Sequence, residues 1–150
     1  MFHLFTKDLT QVADMRRSLW GAKYQVYDPG GRLLASIKPP FGAVPGELKI
    51  EDSECKTVAD CFGTTDDYKL LTPEGNMAAI VAKAQGDAVT YTIEVADTPT
   101  PPLLIYCHVI ATDNLNYWVA LRDRVSRGGG RRYGIGSKRL LFWVFAKRMC

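Results

Sequence analysis

The sequence predicts an all-β domain with one short helix at its C-terminus, and two observations favour this fold class. Segments that alternate apolar and polar residues recur about every 8 to 12 positions, which is typical of a β-sandwich or barrel. In addition, residues 24–40 and 68–84 align without gaps. The alignment matches Tyr24 with Tyr68, Pro29 with Pro73 and Gly31 with Gly75.

Each aligned copy consists of an alternating apolar run, a Pro-x-Gly turn and a second apolar run, which is the pattern of a β-hairpin. An isolated hairpin cannot bury its apolar face, so repeated hairpins predict a sheet or barrel that they build together. We expect six apolar residues to line the barrel or to pack within the hairpins: Tyr24, Val26, Leu33, Leu70, Met77 and Ile93.

The remaining elements follow from periodicity and turn residues. A short helix is predicted from Asp8, because apolar residues up to Leu19 recur at helical spacing. Segment 103–111 is almost wholly apolar, which predicts a strand buried on both faces, and 116–121 predicts another. Further strands are predicted over residues 23–28, 32–38, 47–51, 56–63, 67–71, 77–83 and 89–95.

The chain of 150 residues fits one domain, over residues 1–150. Within it, residues 122–136 predict a basic, glycine-rich loop and residues 137–150 an apolar C-terminal helix. No stretch reaches the roughly 20 apolar residues of a membrane span, and the N-terminus does not resemble a signal peptide. The four cysteines form no CxxC pair. We therefore expect reduced thiols in a cytoplasmic protein, with a Cys55–Cys61 disulfide as the alternative.

The charge of the chain is unevenly distributed. Residues 1–121 carry ten basic and fifteen acidic side chains, whereas residues 122–150 carry nine basic and one acidic. A basic tail on a mildly acidic body predicts a partner that carries phosphate, either lipid or nucleic acid. Nucleic acid is the less favoured partner, because the neighbouring chain has no recognition helix and no RNP-like aromatic strand. A solvated loop with no ligand is the remaining alternative.

The order of these pieces resembles the phospholipid scramblase and LURP-one-related group, whose fold is shared with the C-terminal domain of tubby proteins. The resemblance lies in a Tyr-led hairpin that ends in Asp28-Pro29-Gly30-Gly31, the segment Lys38-Pro39-Pro40, the strand Glu47–Glu51 and a second Tyr-led hairpin. It implies a closed antiparallel β-barrel around a central apolar helix. Residues 137–150 would be that helix, although at about 21 Å they are shorter than the helix of the family.

The resemblance implies a non-enzymatic, peripheral membrane or phospholipid-binding domain that takes part in phospholipid scrambling or lipid sensing. Because lipid translocation rests on the family name alone, we rank tethering or sensing above it. The alternative is a protein-interaction or regulatory scaffold with no lipid role. The residues expected to contact anionic lipid are those of the basic tail: Arg127, Arg131, Arg132, Lys138 and Arg139.

No catalytic set, metal site or cofactor site is expected from the sequence. His108 follows Cys107, but adjacent residues of a strand point to opposite faces, so we expect a structural histidine. The stretch 128–138 contains glycine, arginine and lysine but does not fit the GxxxxGK[ST] frame of a phosphate-binding loop. The carboxylate pairs at predicted turns are expected to be solvated turn residues.

Overall fold

The computed structural model describes residues 1–6, 8–18, 23–40, 47–64, 66–84, 90–126 and 143–148, with side chains described only as far as Asn116. The strands and the helix follow one another along the chain in this order: β1 (Phe2–Phe5), β2 (Gln11–Arg17), β3 (Tyr24–Tyr27), β4 (Leu33–Lys38), β5 (Lys49–Asp52), β6 (Thr57–Gly63), β7 (Asp67–Leu71), β8 (Met77–Ala84), β9 (Thr90–Val95), α1 (Pro102–Ser126) and β10 (Trp143–Arg148).

The strands form a single sheet in which each strand pairs with its neighbours in sequence. Strands β1 to β9 are antiparallel, and β10 pairs with β9 in parallel, as a strand can after a helical crossover. The predicted mainly β class is confirmed, but the helix lies at Pro102–Ser126 and not at the C-terminus, and the described sheet is not closed into the predicted barrel. Among the described strands, β1 and β10 lie at the two edges and do not pair with each other.

The repeated hairpin is confirmed as β3–β4 and β7–β8, and β1–β2 and β5–β6 close with the same loop. In each loop the backbone N of the first residue donates to the carbonyl oxygen of the fifth, as Asp28 N does to Arg32 O at 2.9 Å. The side chain of the first residue also accepts a bond from the fifth amide, at 2.9 to 3.2 Å. The four loops are Thr6–Thr10, Asp28–Arg32, Asp52–Lys56 and Thr72–Asn76.

The helix packs against the sheet, through strands that include β3, β4, β5 and β9. Every residue from Leu104 to Asp113 except Tyr106 is buried, so the first turns of α1 are covered on nearly all sides. A helix that is apolar around its whole circumference requires such an enclosure. The sheet residues that enclose it include four of those predicted to line the barrel or to pack within the hairpins, since Tyr24, Val26, Leu70 and Ile93 are fully buried. Leu33 and Met77, which flank the hairpin loops, are only partly buried.

Three predicted elements are wrong. Residues 11–17 form strand β2 and not a helix. The strand is hydrogen-bonded to β1 on one side and to β3 on the other, and Ala13 and Met15, two positions apart, are buried in the core. Segments 103–111 and 116–121 belong to helix α1. A continuous apolar run does not distinguish a buried strand from a buried helix, and here Pro102 occupies the first helical position, where proline is favoured.

The C-terminal predictions are corrected in part. Residues 143–148 form strand β10 instead of the helix predicted over 137–150, because their backbone pairs with β9 along the whole strand. Residues 122–126 of the predicted basic loop are the last residues of α1. The rest of both segments, 127–142 and 149–150, lies outside the described residues.

Candidate functional site

Helix α1 carries polar side chains into the core. His108 is fully buried, and its Nε2 lies 2.8 Å from the carbonyl oxygen of Leu48, to which it donates a proton. Thr112 Oγ1 faces the other ring nitrogen, Nδ1, at 3.5 Å. Burial lowers the pKa of His108 to about 4, although the bond to Leu48 acts in the opposite direction. His108 is therefore neutral at physiological pH.

The next buried polar residue of the helix is Asp113. Tyr91 donates its hydroxyl proton to Asp113 Oδ1 at 2.6 Å, and Lys83 Nζ lies 3.9 Å from the same oxygen. The ammonium group of Lys83 also lies 3.5 Å from Asp66 Oδ1. Burial raises the pKa of Tyr91, and the hydrogen bond to the carboxylate raises it further, so Tyr91 remains a proton donor.

Two more tyrosines complete what we call the tyrosine cluster: Tyr24, Tyr68 and Tyr91. Tyr24 donates to Asn114 Oδ1 at 2.8 Å. The ring of Tyr68 packs against that of His108, with 5.4 Å between ring centroids. The hydroxyl of Tyr68 is buried and has no hydrogen-bond partner among the described residues. Tyrosines from three different strands thus contact the helix, and their role is structural.

The pair Cys107–His108 does not form a nucleophilic site. Both residues lie in helix α1 and both are buried. Burial raises the pKa of the Cys107 thiol to about 12, and His108 is neutral, which is the opposite of a thiolate–imidazolium pair. Cys55 and Cys61 are free thiols, and burial raises the pKa of Cys61 to about 11. The structural histidine predicted from the sequence is confirmed, but on a helix.

The two ends of the sheet differ in charge. Because neighbouring strands are antiparallel, the four shared loops and the segment after β9 lie at one end, the hairpin end. Described acidic residues predominate there: Asp8, Asp28, Asp52, Glu54, Glu74 and Asp97, against Arg32 and Lys56. Asp28 and Asp52 stabilise their loops, since their carboxylates accept hydrogen bonds from backbone amides.

The opposite end, which we call the basic end, carries more cations. Its described basic residues are Arg16, Arg17, Lys23, Lys38, Lys49, Lys69 and Lys83, and its acidic residues are Glu47, Glu51, Asp60, Asp66 and Asp67. Helix α1 starts at the hairpin end and runs toward the basic end, because Asn114 contacts Tyr24 at the first residue of β3. The basic residues and the later turns of the helix therefore lie at the same end of the molecule.

Three lysines of the basic end stand in one row on the outer face of the sheet. Lys38 and Lys49 are directly opposite each other in the β4–β5 pair. Tyr24 is opposite Ile37, so the β3–β4 register, continued by one residue, places Lys23 opposite Lys38. We refer to Lys23, Lys38 and Lys49 as the lysine row. Like charges placed opposite each other repel, so such a row needs a counter-charge.

Glu51 supplies that counter-charge. Its two carboxylate oxygens lie 2.7 Å from Lys38 Nζ and 2.6 Å from Lys49 Nζ, and only 4% of the residue is exposed. Burial alone would raise the pKa of Glu51, but the hydrogen bonds and charges of the two lysines outweigh it and lower the pKa. The trio carries a net charge of +1, and Lys23 and Arg16 add to it on the same face.

Arg16 is exposed at the next position along this face. Its guanidinium lies 4.7 Å from the centroid of the Tyr27 ring, within the range of a cation–π contact. The register places Arg16 opposite Gln25 and Ser36 opposite Glu51. The outer face of β2 to β5 at the basic end is therefore a candidate surface for binding anions.

The five residues expected to contact lipid from the sequence are Arg127, Arg131, Arg132, Lys138 and Arg139, and all lie outside the described residues. Arg127 follows Ser126, the last residue of α1. The lysine row was missed, because its members are 15 and 11 positions apart and no local motif joins them. A signal did exist in the repeat, since Lys23 and Lys38 flank the hairpin at the end remote from its turn.

Within the described part of the chain, no group of three His, Cys, Asp or Glu side chains is placed to hold a metal ion. In the described residues, no helix is both long enough and apolar enough to span a membrane. Comparison of the chain with protein-family models, with curated proteins and with solved structures finds no match.

Proposed function

We propose that this chain is a non-enzymatic domain of the scramblase and LURP-one-related type that binds anionic phospholipid at a membrane surface and acts as a tether or lipid sensor. The observation that carries the proposal is the accumulation of basic residues at one end of the sheet, with the lysine row at its centre. Anionic phospholipid is the partner, and a cytoplasmic location with peripheral membrane association is part of the proposal.

The fold supports the family assignment in one respect. The resemblance implies an apolar helix inside an antiparallel barrel, and α1 is buried against strands of both halves of the sheet, through Tyr24, Tyr68 and Tyr91. In this proposal the sheet closes into a tubby-like barrel, and α1 takes the place that the sequence had assigned to residues 137–150. The order of the repeated hairpins, β3–β4 and β7–β8, agrees with the same assignment.

The charges indicate how the domain would meet the membrane. Each Lys or Arg held near an anionic leaflet contributes on the order of 1 kcal/mol to binding, so a few cations at one end suffice for reversible attachment. The acidic hairpin end would be repelled by the same surface. The basic residues after Ser126, including Arg127 and Arg131, would add to the attraction if they also reach the leaflet.

Co-sedimentation with vesicles tests the proposal. Vesicles of phosphatidylcholine alone and with phosphatidylserine are compared at low and at high salt. We expect binding to the anionic vesicles only, with a loss of affinity as salt rises. Replacing Arg16 and Lys23 with Gln should weaken binding by roughly tenfold or more, because about two surface charges are removed.

A matched double variant serves as the control. Arg32→Gln with Lys56→Gln removes the same charge from the hairpin end and should leave vesicle binding unchanged. Equal losses in the two double variants would show a response to net charge only and would contradict docking by the basic end. Absence of salt-sensitive binding in the unmodified chain would refute the lipid proposal and leave the protein-interaction scaffold.

A further inference from the structure

We propose that Phe62 enters the interfacial region of the bilayer when the basic end docks, which gives the lipid-binding surface an apolar anchor. This inference rests on the proposed function and adds the orientation of the domain and the residue that penetrates. Phe62 is the penultimate residue of β6, at the basic end, and 54% of it is exposed.

The register places Phe62 beyond the lysine row. Ile50 is opposite Ala59, so continuing the β5–β6 register brings Lys49 opposite Asp60 and Glu47 opposite Phe62. Two residues of a strand advance by about 7 Å, so the backbone of Phe62 lies roughly that far outside the level of Lys49. An aromatic ring that projects past a row of cations can reach the acyl boundary while the lysines remain at the phosphates.

Phe62 belongs to a small apolar patch on the outer face. It is opposite Lys69, which in turn is opposite Ile80, and the three stand in one row across β6, β7 and β8. A groove of about 210 Å³ runs between Phe62 and Ile80. The aliphatic part of Lys69 can cover apolar surface while its ammonium group reaches lipid phosphate.

The backbone that follows Phe62 is held by close contacts and hydrogen bonds. Gly63 has φ of 133°, and an added Cβ there would come within 2.6 Å of Asp67 O and 2.8 Å of Tyr68 Cα. Thr64 then closes a tight turn, with its N donating to Asp67 O at 2.9 Å and its Oγ1 accepting from Asp67 N at 3.1 Å. Since this backbone is already ordered, little conformational entropy is lost when Phe62 inserts.

Charge distinguishes Phe62 from an equally exposed residue at the other end. Phe5 is 55% exposed but lies beside the first loop of the hairpin end, among acidic residues. Both ends carry a second exposed apolar residue, Met1 at the basic end and Leu9 at the hairpin end. Among the residues that the structure describes, only those of the basic end combine exposed apolar side chains with an excess of cations, which fits an anionic membrane. Glu47, opposite Phe62, is an adverse charge of this site, and so are Asp60, opposite Lys49, and Asp67, which lines the same groove.

Phe62→Ala and Phe5→Ala form a matched pair for vesicle binding. Partitioning onto phosphatidylcholine vesicles that contain phosphatidylserine is measured for the full chain and both variants. We expect Phe62→Ala to weaken partitioning about fivefold, since roughly half of a phenylalanine surface is left to bury, and Phe5→Ala to have no effect. Phe62→Trp should retain binding, and Glu47→Gln should strengthen it.

The outcomes separate this inference from the function on which it rests. Loss of binding in Arg16→Gln with Lys23→Gln, but unchanged binding in Phe62→Ala, would overturn the anchor and keep the basic docking surface. Sedimentation velocity without vesicles provides a second test. If Phe62→Ala changed the association state of the protein, a second copy of the chain would be the occupant of the patch, and this would also overturn the anchor. No binding of the unmodified chain to anionic vesicles would overturn both proposals.

Discussion

Gly31 and Gly75 lie 44 positions apart and adopt the same left-handed backbone conformation, with φ of 85° and 84°. Each is the fourth residue of a hairpin loop, where a β-bulge follows the turn. An added Cβ would meet no atom within 4 Å at either position, so the backbone conformation alone makes glycine favourable. Cys55 and Leu9 occupy the same loop position at φ of 63° and 61°, without the freedom of glycine.

This relationship predicts opposite effects of substitution at equivalent positions. Gly31→Ala should lower the free energy of unfolding by about 1 kcal/mol, because a residue with a Cβ is forced into the left-handed region. Cys55→Gly should raise it by a smaller amount, since glycine also gains entropy in the unfolded chain. Urea unfolding measures both changes. Cys55→Ala is the control and should give no gain; a gain equal to that of Cys55→Gly would assign the effect to the thiol.

The tyrosine cluster predicts three different responses to loss of a hydroxyl group. Tyr91→Phe should destabilise the fold by about 1 to 3 kcal/mol, because buried Asp113 loses its donor. Tyr24→Phe should cost about 1 kcal/mol through loss of the bond to Asn114. Tyr68→Phe should be neutral or stabilising, since its buried hydroxyl has no partner among the described residues. Thermal unfolding ranks the variants, and a Tyr68→Phe protein less stable than Tyr91→Phe would contradict the assigned contacts.

The strands from β3 to β9 could be predicted from the sequence because each turn is marked locally. Tyr24 and Val26 alternate with Gln25, and the glycine of the turn fixes where the strand must reverse. The loop at Leu9 is built in the same way, but without glycine it carries no recognisable turn signal in the sequence. As a result, the sequence does not predict β1, and it predicts a helix where β2 lies.

Helix α1 and the lysine row could not be predicted, for two different reasons. His108 and Asp113 are polar residues in an apolar run, and their partners Leu48 and Tyr91 come from strands far away in sequence. The only local evidence for the type of element was therefore the alternation of apolar and polar residues. In a segment that is enclosed on nearly all sides, this alternation does not distinguish a helix from a strand. The lysine row depends on the register of three strands, which a single sequence does not provide.

Stability should fall in mildly acidic solution because of His108. Its pKa is about 4 in the folded protein against 6.5 as the ordinary value, so between these pH values the unfolded chain binds more protons. The contribution is complete above pH 6.5 and is lost as the pH falls through 4. The shift corresponds to about 3 kcal/mol. Urea unfolding at pH 7.5, 6 and 4.5 measures it.

His108→Gln is the control for this pH dependence. Glutamine can still donate to Leu48 O but does not titrate, so its unfolding free energy should vary less between pH 7.5 and 4.5. The variant is expected to be less stable than the unmodified protein at pH 7.5, because the imidazole fills its site against Tyr68. The same slope in both proteins would show that other groups cause the acid sensitivity.

Glu51 neutralises Lys38 and Lys49, so its removal should make the lysine row a stronger site for anions. In Glu51→Gln the amide keeps the shape of the side chain, but the two ammonium groups at 2.7 and 2.6 Å lose their counter-charge. Partitioning onto vesicles that contain phosphatidylserine should rise about fivefold, the effect of one added charge near the leaflet. Stability should fall at the same time, because Lys38 and Lys49 then face each other unneutralised.

Glu54→Gln is the matched control, since Glu54 also pairs with a lysine, Lys56, at 2.9 Å, but at the hairpin end and in an exposed position. That variant has the same change in net charge and should alter neither partitioning nor stability measurably. If Glu54→Gln strengthened vesicle binding as much as Glu51→Gln, the membrane would be responding to the overall charge of the chain and not to the lysine row.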